Sequence, residues 1–203
     1  MDRNEKIEEA IWIANSLFLR NKVTGSSANL SFRYEDEIYI SGSGTSFGQL
    51  KPQDFSIVDQ NGKHLSGPKP SKELPMHLLM YKAHEDISAV IHTHSFYSTI
   101  WSMVEGIDES NSIPKFTPYL EMKLGKVILV DYAPPGSQKL FQLFAQKVSD
   151  GNGFLLKNHG PVVGHKTLIE AFYALEELEE SAKIAWTALN SSVKLQKIEE
   201  NIL

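Results

Sequence analysis

The chain of 203 residues contains no cysteine. Disulfides, thiolate metal sites and a cysteine nucleophile are thereby excluded, and any bound metal must be held by His, Asp or Glu. No apolar run approaches the length of a membrane span, and Met1 to Glu9 is charged where a signal peptide has its apolar core. A cytoplasmic protein is expected. Positive charge is not in excess either. A net charge of −5 argues against general binding of nucleic acid or anionic membrane, and an anionic substrate would need a locally positive site. The G-x-G-x-x-G and GK[ST] patterns are absent, so neither a dinucleotide nor a Walker fingerprint is present. Internal repeats, low-complexity stretches and linkers are also missing. What remains is a chain with 41% hydrophobic and 22% charged residues, typical of a globular protein. One α/β domain over residues 1–203 is expected.

The most informative stretch is Ala89-Val-Ile-His-Thr-His94, an apolar run ending in two histidines. On a strand, His92 and His94 point to one face and Thr93 to the other. Two imidazoles about 6–7 Å apart along a strand face can share a metal ion. The plainer alternative is one hydrogen-bonded core histidine and one solvated one. Gly153-Phe-Leu-Leu156 is a further strand, followed by Lys157-Asn-His-Gly160, so His159 also sits just past a strand end. The glycine after it permits a tight turn and close backbone approach. Three histidine ligands leave a fourth coordination position open, the arrangement of catalytic zinc. Glu73, at a helix start, could fill that position at rest or carry a proton beside it. His64, His77, His84 and His165 lack comparable settings and read as surface or core residues.

The remaining elements follow from periodicity and punctuation. Ile7, Ala10, Ile11, Ala14, Leu17 and Phe18 predict an amphipathic helix over about 3–21. Strands are expected at Leu30–Phe32, Ile38–Ile40 and Ser56–Val58, the last returning through the Asn61-Gly62 turn to Lys63-His-Leu65. Two small-residue loops, Thr24–Asn29 and Ser41–Thr45, could turn N–H groups and hydroxyls toward an anion, or could be ordinary connections. Ser71 is a candidate N-cap for the helix through Met76–Tyr81, which would place Ser71, Lys72 and Glu73 at an anion-favouring helix N-terminus. Alternatively, Glu73 merely complements the helix dipole. Helices are also expected at Phe96–Val104 and Gln138–Ser149, with a strand at Val127–Val130. A long final helix carries an apolar stripe from Leu168 to Leu189, with Glu176, Glu177, Glu179 and Glu180 on its solvated face. The last ten residues, including Lys194, Lys197, Glu199 and Glu200, read as a frayed extension.

Taken together and in order, the Gly-Ser-Ser-Ala-Asn-Leu-Ser loop, Ser-Gly-Ser-Gly, Pro-Ser-Lys-Glu, His-Thr-His and Asn-His-Gly resemble the class II aldolase/adducin family across nearly the whole chain. The resemblance implies a three-layer α/β/α sandwich around a mainly antiparallel central sheet. It also implies a cyclic homotetramer with zinc sites near subunit contacts. The family's zinc ligands map to His92, His94 and His159, with Mn²⁺ or Co²⁺ as possible replacements. The catalytic acid/base maps to Glu73, and the phosphate pocket to Ala28, Asn29, Ser43, Gly44, Ser71 and Lys72. Tyr119 is the next candidate acid/base, placed near the subunit contact.

Lys72 stands where the fuculose- and rhamnulose-phosphate aldolases typically have a small residue. The passages Thr117–Gly125, Asn158–Gly164 and Glu176–Ser181 resemble the 3-oxo-tetronate 4-phosphate decarboxylase branch. Both reactions leave the enediolate of dihydroxyacetone phosphate, which zinc would stabilise as a Lewis acid. That shared chemistry favours neither branch, and it is the resemblance that implies a zinc-dependent decarboxylase. The alternatives are a fuculose/ribulose-phosphate aldolase, a methylthioribulose-phosphate dehydratase and, remotely, a non-catalytic adducin-like module.

Overall fold

The computed structural model describes residues 1–198. Eight strands form one sheet: β1 (Asn29–Tyr34), β2 (Glu37–Ser41), β3 (Phe55–Asp59), β4 (His64–Ser66), β5 (Ala89–His92), β6 (Val127–Val130), β7 (Gly153–Leu156) and β8 (Gly160–His165). Their order is β4-β3-β2-β1-β5-β8-β7-β6, with β6–β7 the only parallel pair among the described residues. The helices are α1 (Arg3–Leu19), α2 (Leu74–Ala83), α3 (Phe96–Trp101), α4 (Tyr119–Leu124), α5 (Gln138–Lys147) and α6 (Leu168–Leu189).

Strand alternation divides the core in two. Leu30, Phe32, Ala89, Ile91 and Val163 face a layer built from α1, α3, α4 and α6. Ile38, Ile40, Val90, Val130 and Val162 face α2 and α5. The mainly antiparallel α/β/α sandwich expected from the family resemblance is what the chain adopts.

Several local expectations are corrected. The first helix ends at Leu19, and α3 stops at Trp101 with Ser102 as its cap. α5 ends at Lys147 and passes into a 3₁₀ turn over Val148–Asp150. Glu73, not Ser71, is the N-cap of α2, with Pro75 in the first turn. The acidic run on α6 is not uniformly solvated: Glu179 is buried, while Glu176 and Glu180 pair with Arg20 and Lys22. α6 closes at Leu189, and the stretch through Lys194 and Lys197 is irregular; Glu199 and Glu200 lie outside the described residues.

Strand β8 and helix α4 had no counterpart in the sequence reading. Within β8, glycine allows neighbouring chain to approach: a Cβ on Gly160 would lie 2.2 Å from the Thr93 carbonyl oxygen, and Gly160 has φ +152°. The close approach draws the turn bearing His159 against the segment bearing His92 and His94.

Candidate active site

The three histidines converge. His92 ends β5, His94 lies two residues beyond, and His159 sits in the β7–β8 turn. One nitrogen from each lies within 4.8 Å of the others. His92 is fully buried, His159 nearly so and His94 half-buried. The β8 backbone orients the first ring: the Pro161 carbonyl oxygen accepts from His92 Nδ1 at 2.8 Å, which leaves Nε2 as the lone-pair nitrogen. That nitrogen lies 3.3 Å from His159 Nε2.

Burial lowers the pKa of all three imidazoles. His92 is brought to about 3, with repulsion from His94 adding to the effect. His159 is also brought to about 3, by burial and then by the charge of His92. Neutral imidazoles are the ligand form. Neutral nitrogens that converge within 4.8 Å of one another suit a cation. The donor set therefore fits a divalent metal ion.

Glu73 completes the cluster. Its carboxylate is buried, with Oε2 3.4 Å from His92 Nε2 and Oε1 3.5 Å from His159 Nε2. Oε2 accepts a hydrogen bond from Asn29 Nδ2 at 2.9 Å, whereas Oε1 has no hydrogen-bond partner among the described residues. A buried polar atom left unpaired is costly, and in a native fold it marks strain, a missing ion or water, or chemistry.

The anion-pocket candidates gather at the same end of the sheet. Asn29 is registered directly opposite His92 between β1 and β5. A bridge between Gly42 and Pro70, and the Ser43 N–H donated to the Lys69 carbonyl, bring Ser43 and Gly44 beside Ser71 and Lys72. Ala28 and Ser71 are buried, while Ser43, Gly44 and Lys72 are exposed. The α2 terminus is less open than the sequence suggested. The Glu73 N–H goes to Ser71 Oγ, the Leu74 N–H to the Ser71 carbonyl and the Met76 N–H to the Glu73 carbonyl, and Pro75 has no N–H. An anion here would meet loop amides, hydroxyls and the Lys72 ammonium more than helix amides.

Tyr119 is not part of this assembly. It begins α4, which packs on α6, and its ring is 57% exposed.

Sequence reasoning missed two supporting residues. His77 is fully buried and joins the hydrogen bonds behind Asn29; it lies one helical turn beyond Glu73, a spacing that could have revealed it. Glu179, inside the apolar arc of α6 at four residues from Leu175, accepts from the N–H groups of Tyr97 and Ser98 and from the Ser98 hydroxyl. It thus caps α3, whose Thr99 and Ser102 hydroxyls bond the backbone of His159 and Asn158.

The fold and site define an α/β/α sandwich carrying three convergent histidines and one half-satisfied carboxylate. Residues 8–186 match the model of the Class II Aldolase and Adducin N-terminal domain, and the chain belongs to that family. The 3-oxo-tetronate 4-phosphate decarboxylase of Escherichia coli (strain K12) is 45% identical over 178 residues, covering 87% of this chain and 84% of that protein. The L-fuculose phosphate aldolase of Methanocaldococcus jannaschii is 38% identical over 194 residues, covering 96% of this chain and 99% of that one. Among solved structures, YgbL from Klebsiella pneumoniae aligns with a TM-score of 0.94 at 37% identity, over 98% of this chain and 96% of that one.

Proposed function

We propose that this protein is a zinc-dependent carbon–carbon lyase that converts a 3-oxo-tetronate 4-phosphate to dihydroxyacetone phosphate and CO₂. The observation that carries the proposal is the unpartnered Oε1 of buried Glu73, held 3.5 Å from one of three convergent neutral imidazoles. The 45% identity to a decarboxylase supports the choice of substrate.

In this reading His92, His94 and His159 hold one divalent ion, Zn²⁺ or in substitution Mn²⁺ or Co²⁺. Bound there, the ion supplies Lewis acidity toward a ketone and its neighbouring hydroxyl. Asn29, Ser43, Gly44, Ser71 and the backbone at Ala28 take the phosphate, and Lys72 adds a positive charge beside it. The bond between the carboxylate carbon and the hydroxyl-bearing carbon breaks. Its electron pair moves toward the ketone to give an enediolate, and CO₂ departs. Glu73 then delivers a proton from Oε1 to the carbon that lost the carboxylate, and regains one from water.

The fuculose-phosphate aldolase reading is favoured by one observation: 38% identity over almost all of such an enzyme. Retro-aldol cleavage would leave the same enediolate, with an aldehyde departing instead of CO₂. The experiment is to present a 3-oxo-tetronate 4-phosphate, L-fuculose 1-phosphate and a methylthioribulose phosphate separately. Release of CO₂ with dihydroxyacetone phosphate is expected from the first. Aldehyde release or dehydration as the fastest reaction would overturn the assignment. A homotetramer, with Tyr119 lying near a neighbouring subunit's site, and a cytoplasmic location complete the proposal. Tyr119 and Met122, both largely exposed on α4, are consistent with that contact.

A further inference from the structure

From Glu73 Oε2 a chain of buried polar groups runs into the interior. Asn29 Nδ2 donates to Glu73 Oε2 at 2.9 Å. Asn29 Oδ1 lies 2.5 Å from His77 Nε2. His77 Nδ1 lies 2.7 Å from Ser31 Oγ, and that oxygen lies 2.6 Å from the Tyr81 hydroxyl. Asn29, Ser31, Glu73, His77 and Tyr81 are all buried. Two periodicities build the chain: Asn29 and Ser31 share a face of β1, while Glu73, His77 and Tyr81 repeat every four residues on α2.

Chemistry at one end sets the direction of every bond. A carboxylate only accepts, so Asn29 must turn its NH₂ toward Glu73 and its carbonyl oxygen toward His77. The carbonyl oxygen also only accepts, so His77 must carry its proton on Nε2. Nδ1 is then an acceptor, Ser31 must donate to it, and the Tyr81 hydroxyl must donate to Ser31. All four hydrogens point toward Glu73. At the far end the Arg33 guanidinium lies 4.5 Å from the centre of the Tyr81 ring. Aligned hydrogen bonds polarise one another in a low-dielectric interior.

We propose that His77 is a positioning residue: as its Nε2–H tautomer it locks the Asn29 amide so that Glu73 Oε2 is a fixed acceptor and Oε1 is the oxygen that carries the proton. This deepens the proposed lyase chemistry and rests on Glu73 acting there. The opposite tautomer would turn the Asn29 carbonyl oxygen against the carboxylate and release it from its rotamer. The two oxygens of Glu73 are inequivalent because the interior, not the substrate, makes them so.

Two measurements test the assignment. Nitrogen-15 spectra of the imidazoles in the purified protein should show His77 protonated at Nε2 and unprotonated at Nδ1; the reverse tautomer would overturn the proposal, whatever substrate the enzyme proves to use. His77→Leu should lower kcat about 10- to 100-fold, the range for groups that orient a reacting residue, with metal content unchanged. KM should change less than kcat, because Asn29 is the one proposed phosphate contact that leans on His77. His77→Gln, which keeps one donor and one acceptor, should recover most of the loss. If His77→Leu does not fold, the comparison moves to His77→Gln against His77→Met. Equal kcat in a folded pair that differs in donor capacity would reduce His77 to a core residue. Failure of the wild-type protein to release CO₂ or aldehyde would instead count against the lyase reading, and the tautomer would still be decided spectroscopically.

Discussion

Two glutamates are buried, Glu73 beside the histidine cluster and Glu179 against the start of α3, and they are treated very differently. Glu179, from α6, has both oxygens occupied: Oε1 accepts the Tyr97 N–H at 3.0 Å, and Oε2 accepts the Ser98 N–H and hydroxyl at 2.8 and 2.7 Å. Glu73, from the start of α2, has Oε2 occupied and Oε1 free. Both are nearly sealed from water, at 2% and 3% exposure, so solvent does not explain the difference. A charge whose lone pairs are satisfied by backbone N–H groups stabilises a helix start. One left half satisfied among neutral imidazoles is placed for proton transfer or for an ion. Burial alone does not identify a reactive carboxylate; what its second oxygen meets does.

The harshest break is removal of the setting that distinguishes Glu73. His94→Ala should reduce bound divalent metal from close to one ion per chain to almost none, and turnover with it, because two imidazoles make a poor site. Metal analysis of purified protein beside wild type reads this directly, and full retention of the ion would detach the three histidines from metal binding. The next largest effect separates the two carboxylates. Glu73→Gln preserves shape but carries no proton, so kcat should fall by about 10²–10⁴ while metal stays bound. An unchanged kcat would move the acid/base role elsewhere, with Tyr119 next in line.

Glu179 should behave in the opposite sense. Glu179→Ala leaves two N–H groups and a hydroxyl of α3 without an acceptor, at a cost to stability of about 1–3 kcal/mol. The Ser95 hydroxyl, at the N-cap position, makes no capping bond to α3 while Glu179 holds those N–H groups. Because α3 also supports the backbone at Asn158 and His159, metal affinity should weaken by about 10- to 100-fold, with kcat of the saturated enzyme nearly intact. Denaturant titration and a metal-binding isotherm measure the two effects. A large fall in saturated kcat without loss of stability would make the two glutamates functionally alike and end the contrast.

How legible each side was in the sequence follows from the same physics. The Glu73 side was readable because its groups stand at strand ends and at a proline-marked helix start, where polar residues interrupt apolar runs. His92, His94 and His159 were found in this way, and the sandwich followed from the order of the motifs. The Glu179 side was hidden. Its residue sits in an acidic run that looks like a solvated helix face, and only its position four residues from Leu175 and three from Ala182 places it in the apolar arc. Strand β8 was hidden for a steric reason. Gly160, Pro161 and Gly164 weaken any strand signal, yet Gly160 is needed against Thr93, and a Cβ on Gly164 would come within 2.4 Å of Met80. The four-residue spacing from Glu73 puts His77 on the same face of α2, but its partners Asn29 and Ser31 on β1 are not encoded in local spacing.

The smallest expected effect concerns Lys72, one residue before Glu73 but facing solvent. Its stem lies across the turn at Gly136, where an added Cβ would stand 2.8 Å from Lys72 Cδ. Its charge also reaches inward, since it helps to lower the pKa of His94 and His159, after burial and the nearer charges. The side chain is therefore exposed but directed along the rim of the site, between a fully buried contact and a free surface lysine. For that intermediate setting, Lys72→Ser should cost about 1.5 kcal/mol in kcat/KM, the lower end for hydrogen bonds to charged groups. Metal content should not change, because Lys72 is not a ligand. Measuring the loss with a 3-oxo-tetronate 4-phosphate and again with a ketose phosphate locates the ammonium. A larger loss with the oxo-acid puts it beside the departing carboxylate and strengthens the decarboxylase assignment. Equal losses put it on the phosphate, which both substrates share, and no loss with either would remove Lys72 from the site and leave Glu73 to work without a neighbouring cation of its own.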